Sequence, residues 1–228
     1  MDITINKGMC MKSSSKIIIA GAILAFCFAC AKKEASNQLT KKEVTAKEIL
    51  GNPEYIAISY EGYRQKSRET QPTVEELKED IRILSAMGIR ILRTYNVQMP
   101  HASNVLKAIR ELKNENPDFE MYVMLGAWID CKNAWTDQTP DHEVESEQNE
   151  GEIGRAVALA NQYPEIVKIL AVGNEAMVRW ATSYFVQPSI ILKWVTHLQS
   201  LKASGKLPRE LWITCSDDFS SWGGADSS

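Results

Sequence analysis

The sequence has little of what binding to nucleic acid, metal or nucleotide would require. Its 26 Lys and Arg are outnumbered by 29 Asp and Glu, for a formal net charge of −3. No basic field exists to recruit a polyanion, so nucleic acid is not an expected partner. The three histidines stand far apart, at His101, His142 and His197. Past residue 30 they are joined by two cysteines in that chain segment, Cys131 and Cys215, at no metal-ligand spacing; no metal and no cofactor is expected. The turn after the first predicted strand reads "EGYRQKS" rather than a glycine-rich phosphate turn, which argues against a doubly wound nucleotide-binding sheet.

Long apolar runs are also missing. The longest, from Ile17 to Phe28, is shorter than a membrane span needs. It follows Lys12 and Lys16 and ends in "CFAC" before the polar stretch "AKKEASNQ". That order resembles a bacterial lipoprotein signal over residues 1–30, with Cys30 as the lipidated residue. The expectation is export to the cell envelope, with an outer-membrane or periplasmic location and a lipid anchor at Cys30. Residues 31–52 read as a polar Lys/Glu/Ala/Ser/Thr tether, part of it helical. Cys131 and Cys215 fall at the ends of different predicted strands and are expected as two free thiols, although an exported chain meets an oxidising compartment.

What remains, residues 53–228, alternates strand and helix. Apolar runs at 55–63, 89–95, 121–129, 165–175 and 211–216 predict five strands. Between the first two, Thr73 and Glu76 form a capping box after Pro72. Leu77, Ile81 and Leu84 then fall on one helical face, and Gly88 ends the helix. The next helix turns Leu106, Ile109 and Leu112 inward and stops at Pro117. Further helices are predicted over 152–162 and 188–203, the last closed by Gly205. The acidic stretch of about 130–150 reads as a loop, and its carboxylates from Asp137 to Glu152 as solvated, without calcium-loop spacing.

Near-continuous apolar strands joined by helices predict a parallel sheet covered by helices. Each strand ends in polar or aromatic residues: Tyr60, Glu61 and Tyr63; Arg93, Tyr95 and Asn96; Trp128 and Asp130; Asn174 and Glu175; Ser216, Asp217 and Asp218. In a (β/α)8 TIM barrel these ends converge on one site. The expected fold is therefore such a barrel, apparently truncated after strand five, since eight units take about 250 residues.

Glu175 has two readings. It either caps the following helix or pairs with Arg179, or it is a general acid whose carboxyl gives its proton to a glycosidic oxygen. Asn174 beside it offers an amide to sugar hydroxyls. Tyr95 and Trp128 are candidates to stack on pyranose faces, with Trp135 a weaker one. Glu61 and Asp130 are expected to line the cleft. Asp217 and Asp218 read as substrate-facing or structural groups, and "WATSYF" (180–185) as a subsite wall or as helix packing.

"AVGNEA", preceded at βα spacing by "YIAISYEGYR", "IRILRTYNV" and "MYVMLGAWID", resembles glycoside hydrolase family 17 over roughly residues 54 to 224. The resemblance implies a retaining β-1,3-glucanase or β-1,3-glucan transglycosylase. It places the acid/base on Glu175 and the motif asparagine on Asn174. It also implies a nucleophilic glutamate at the end of strand seven, beyond the end of this chain. The expected partner is a β-glucan polysaccharide or oligosaccharide. Two alternatives remain open: a non-catalytic surface glucan-binding lipoprotein, and an inactive gene fragment.

Overall fold

The computed structural model describes residues 43–223. The expected signal peptide, Cys30 and the tether up to residue 42 lie outside the described residues. All five predicted strands form: β1 (Ile56–Ser59), β2 (Ile89–Arg93), β3 (Tyr122–Ala127), a long strand at Val167–Asn174 and a last one at Trp212–Ser216. Two short strands that the sequence did not announce, β4 (Cys131–Lys132) and β5 (Asp141–Glu145), pair antiparallel as a hairpin. The long strand is therefore β6 and the last β7. The sheet is parallel throughout and runs β1-β2-β3-β6-β7, in chain order with no reversal.

The helices are α1 (Ala46–Ile49), α2 (Val74–Ala86), α3 (Pro100–Glu115), α4 (Gln148–Gln162), α5 (Pro188–Ala203) and α6 (Phe219–Gly223). The capping box at α2 is made as expected. Thr73 Oγ1 accepts from Glu76 N, and Glu76 Oε2 accepts from Thr73 N at 2.8 Å. Proline at the first position of α3 and of α5 costs no hydrogen bond, because that N–H has no partner within a helix.

Strand residues alternate between two faces. Leu92, Val123, Leu125, Leu170 and Val172 enter one core together with Leu77 and Ile81 of α2, Leu106 and Ile109 of α3, Ile153 of α4 and Leu198 of α5. Ile91 and Tyr122, the residues in between, face the other way and pack against Ile49 of α1, with Val44 and Met124 at the margin. Helices α2 to α5 thus cover one face, and the α1 segment closes part of the other. Lys168, buried on β6, pairs with Glu43 at 2.9 Å. Residues 43–52, expected as tether, therefore pack against the sheet. Ile49 is 2% exposed there because the inner sheet face supplies it with an apolar seat.

The sheet is open. β1 is exposed along its length and Trp212 on β7 is 40% exposed. The described residues form an α/β structure with a five-stranded parallel sheet, and a closed barrel is not seen among them. No described helix is long and apolar enough to cross a membrane.

Candidate active site

The site gathers at the C-terminal ends of the strands. Its central device is a β-bulge at Gly173. Val172 pairs in register with Cys215, and Asn174 pairs with Ser216, with Gly173 left over between them. Val172 points into the helix-side core. In a regular strand Asn174, two residues on, would point the same way. The extra residue reverses it, so Asn174 joins Ser216 on the inner face. Only glycine serves here well: φ is +76°, and an added Cβ would lie 2.9 Å from Ala176 Cβ and 3.1 Å from Ile191 Cδ1.

Arg93 holds the turned residues in place. Its Nη2 donates to Asn174 Oδ1 and, at 2.6 Å, to Ser216 Oγ, while its guanidinium lies 5.1 Å from the Tyr95 ring centroid. Gly126 on β3 permits another close approach. An added Cβ would lie 2.3 Å from Thr94 O and 2.8 Å from Tyr95 Cα, so the chain after β2 crosses directly over it.

Glu175 comes next, at φ +48°. A non-glycine residue in this region carries about 1–3 kcal/mol of strain, which the surrounding structure must hold. Glu175 N donates to Ser216 O at 2.9 Å, and Asp217 Oδ2 fixes Met177 N at 2.9 Å just beyond. No helix follows directly: residues 175–187 are turns and coil, and α5 begins at Pro188. Glu175 therefore caps no helix, and among the described residues it makes no ion pair with Arg179. Its half-buried carboxylate carries no hydrogen bond among them.

A cavity of about 540 Å³ opens at the neighbouring Asn174, and Glu175 itself is not among the residues that line it. Asn174, Tyr95 and Trp128 line it, and so does Glu61, which is paired with Arg68 at 3.0 Å. Trp135 and Tyr184 complete an aromatic wall. The Tyr184 ring stacks on Trp135 at 5.1 Å and tilts against Trp128 at 5.2 Å. Burial raises the Tyr184 hydroxyl pKa, and the negative charges of Glu175 and Asp217 raise it further. Within "WATSYF", Tyr184 lines the cavity while Phe185 stacks on His142.

Asp130 stands behind the wall rather than in it. Trp128 Nε1 donates to its Oδ2 at 3.2 Å. Burial pushes the Asp130 carboxyl up, against hydrogen bonds from Trp128, Ser146 and Trp135 that pull it down. Asp218 caps α6, accepting from Ser220 N at 2.7 Å. Asp217 and Asp218 are both engaged by main-chain N–H groups, which is the structural reading.

The acidic stretch departs most from expectation. Glu145 on β5 accepts from Trp194 Nε1 at 2.6 Å and pairs with Lys193. Glu152 is 3% exposed, inside α4 and not solvated. Its Oε1 accepts from Val97 N at 2.6 Å and Trp128 N at 3.0 Å. No local pattern announces this, because the donors come from distant loops. Arg93 stood among the predicted strand-end residues without a role. Its side chain points to the inner face, where Asn174 and Ser216 accept its hydrogen bonds.

No family model and no curated protein sequence matches the chain. The chain is similar to a crystal structure of an endo-laminarinase from Formosa Hel1_33_131, with a TM-score of 0.79 and 70% sequence identity. The match covers 80% of this chain and 47% of that one, so the chain spans about half the length of the laminarinase it resembles.

Proposed function

We propose that the protein is an exported glycoside hydrolase or transglycosylase acting on β-1,3-glucan, with Glu175 as the acid/base. The observation that carries this reading is the 70% identity to an endo-laminarinase, since laminarin is a β-1,3-glucan. The bulge at Gly173 supports it by turning Asn174 inward, beside an aromatic cleft sized for sugar rings. In this reading the fold is the (β/α)8 barrel of glycoside hydrolase family 17, of which the described residues supply five βα units. The in-order parallel sheet supports that, as do helices on one face and functional groups at the C-terminal strand ends. Residues 1–30 export the chain, and a lipid on Cys30 holds it in the cell envelope.

Glu175 protonates the glycosidic oxygen as the bond to the anomeric carbon breaks. In a retaining reaction a second carboxylate, about 5–5.5 Å from the first, takes that carbon, and Glu175 later draws a proton from the incoming water or sugar hydroxyl. Asp217 and Asp218 are tied to main-chain N–H groups and do not take that role. Asn174, held by Arg93, presents its Nδ2 to a sugar hydroxyl. Trp128, Trp135 and Tyr184 supply the apolar faces that pyranose rings stack on.

Incubation with laminarin followed by chromatography of the products tests the reading. Release of laminari-oligosaccharides that stops in the Glu175→Gln variant supports it. Laminarin binding without turnover, unchanged by Glu175→Gln, would replace it with a glucan-binding lipoprotein. Turnover unaffected by the substitution would remove Glu175 from the mechanism.

A further inference from the structure

We infer that Glu152 is the positioning residue of the cleft. A single oxygen, Oε1, ties the chain after β2 to the chain after β3 and so sets Trp128 against Tyr95 and Asn96. The inference rests on reading the cleft as the glucan site.

Three observations support it. First, Glu152 is 3% exposed, and a buried carboxylate is costly unless fully partnered. Here Oε1 takes Val97 N at 2.6 Å and Trp128 N at 3.0 Å, and Oε2 takes Arg155 Nη2 at 2.9 Å. Second, this is not helix capping. The N-cap of α4 is Glu147, and Glu152 lies beyond the first turn, where the helix N–H groups already have partners. Third, Asn149 does the same work one turn earlier. Its Oδ1 accepts from Asp130 N at 3.2 Å and its Nδ2 donates to Asp130 O at 2.9 Å.

β3 ends at Ala127, where its pairing with β6 stops. From there α4 takes over as the template, bonding the chain at residues 128 and 130. Trp128 and Asp130 then project to one side, where the indole Nε1 meets Asp130 Oδ2 at 3.2 Å. Val97 adjoins Asn96 and Gln98, both in the cavity wall. Glu152 touches no cleft group with its side chain except through these two main-chain N–H groups, and it acts by placing what they carry.

Two conservative substitutions separate bridging from charge. Glu152→Gln keeps Oε1 at full reach and loses the charge. Glu152→Asp keeps the charge and withdraws the carboxylate by one methylene. The bridge predicts that Glu152→Gln holds KM for laminari-oligosaccharides within about twofold of wild type. It predicts that Glu152→Asp raises KM about tenfold with kcat within about twofold, the scale of one lost buried hydrogen bond. Near-ultraviolet circular dichroism of the coupled Trp128, Trp135 and Tyr184 rings should fall in the same order. It needs no substrate, so it reads the bridge even if the wild-type protein leaves laminarin untouched. The reverse order, equal loss in both variants, no change in either, or a Glu152→Gln variant that does not fold would each overturn the inference.

Discussion

Replacing Gly173 with alanine should cost the protein much of its stability and disorder the Asn174–Glu175 pair. Two terms set the size. A left-handed residue with a Cβ costs about 1–2 kcal/mol, and Gly173 sits at φ +76°. The new Cβ would also lie 2.9 Å from Ala176 Cβ and 3.1 Å from Ile191 Cδ1, and crowding a packed site costs about 1–3 kcal/mol. The total is about 2–5 kcal/mol, against about 5–15 kcal/mol for a typical domain. Urea denaturation followed by tryptophan fluorescence reads it. With a mid-range slope of about 2 kcal/mol per molar, the midpoint should fall by roughly 1–2.5 M. A shift under about 0.3 M would show that the backbone tolerates a side chain there. The argument that this bulge aims Asn174 would then be wrong.

Two further outcomes follow. His101 is buried, stacks on Tyr63 at 5.5 Å, and has a pKa pushed down to about 4, chiefly by that burial. Above about pH 6.5 it is neutral in both folded and unfolded chains. Between there and about pH 4 only the unfolded chain takes the proton, so stability should drop by about 3 kcal/mol across that window; a Leu in place of His101 should flatten this limb, and an unchanged limb would refute the assignment. Trp135→Ala, removing the outer ring of the aromatic wall at 63% exposure, should weaken oligosaccharide binding about tenfold with little change in melting temperature. Calorimetric titration checks it, and unaltered affinity would remove Trp135 from the cleft.

Much of the fold was legible because hydrophobic period alone carries it. The five strands and the four long helices that cover the sheet follow from runs such as "IRILR" and from faces such as Leu106, Ile109 and Leu112. The capping box at Thr73 and Glu76 is likewise a local signal. The β4–β5 hairpin was not legible. A two-residue strand, Cys131–Lys132, has no period, and "DHEVE" looks like a solvated loop until β4 pairs with it. The burial of Glu152 and of Ile49 is also tertiary, since each depends on groups that arrive from far along the chain. At the site, Asn174 and Glu175 were visible as a strand end. The bulge itself was not read from the sequence, although a lone glycine inside an apolar strand is a signal for one.

The most direct test of Glu175 as proton donor is leaving-group dependence, measured in the full chain. From a 2,4-dinitrophenyl β-glycoside of laminaribiose the dinitrophenolate leaves without protonation, whereas the sugar oxygen that leaves from laminarin needs a proton. The account predicts that Glu175→Ala loses laminarin cleavage by at least about 100-fold. The initial burst of dinitrophenol should stay within about tenfold of wild type. Equal loss on both substrates, or laminarin cleavage that survives the substitution, would contradict it.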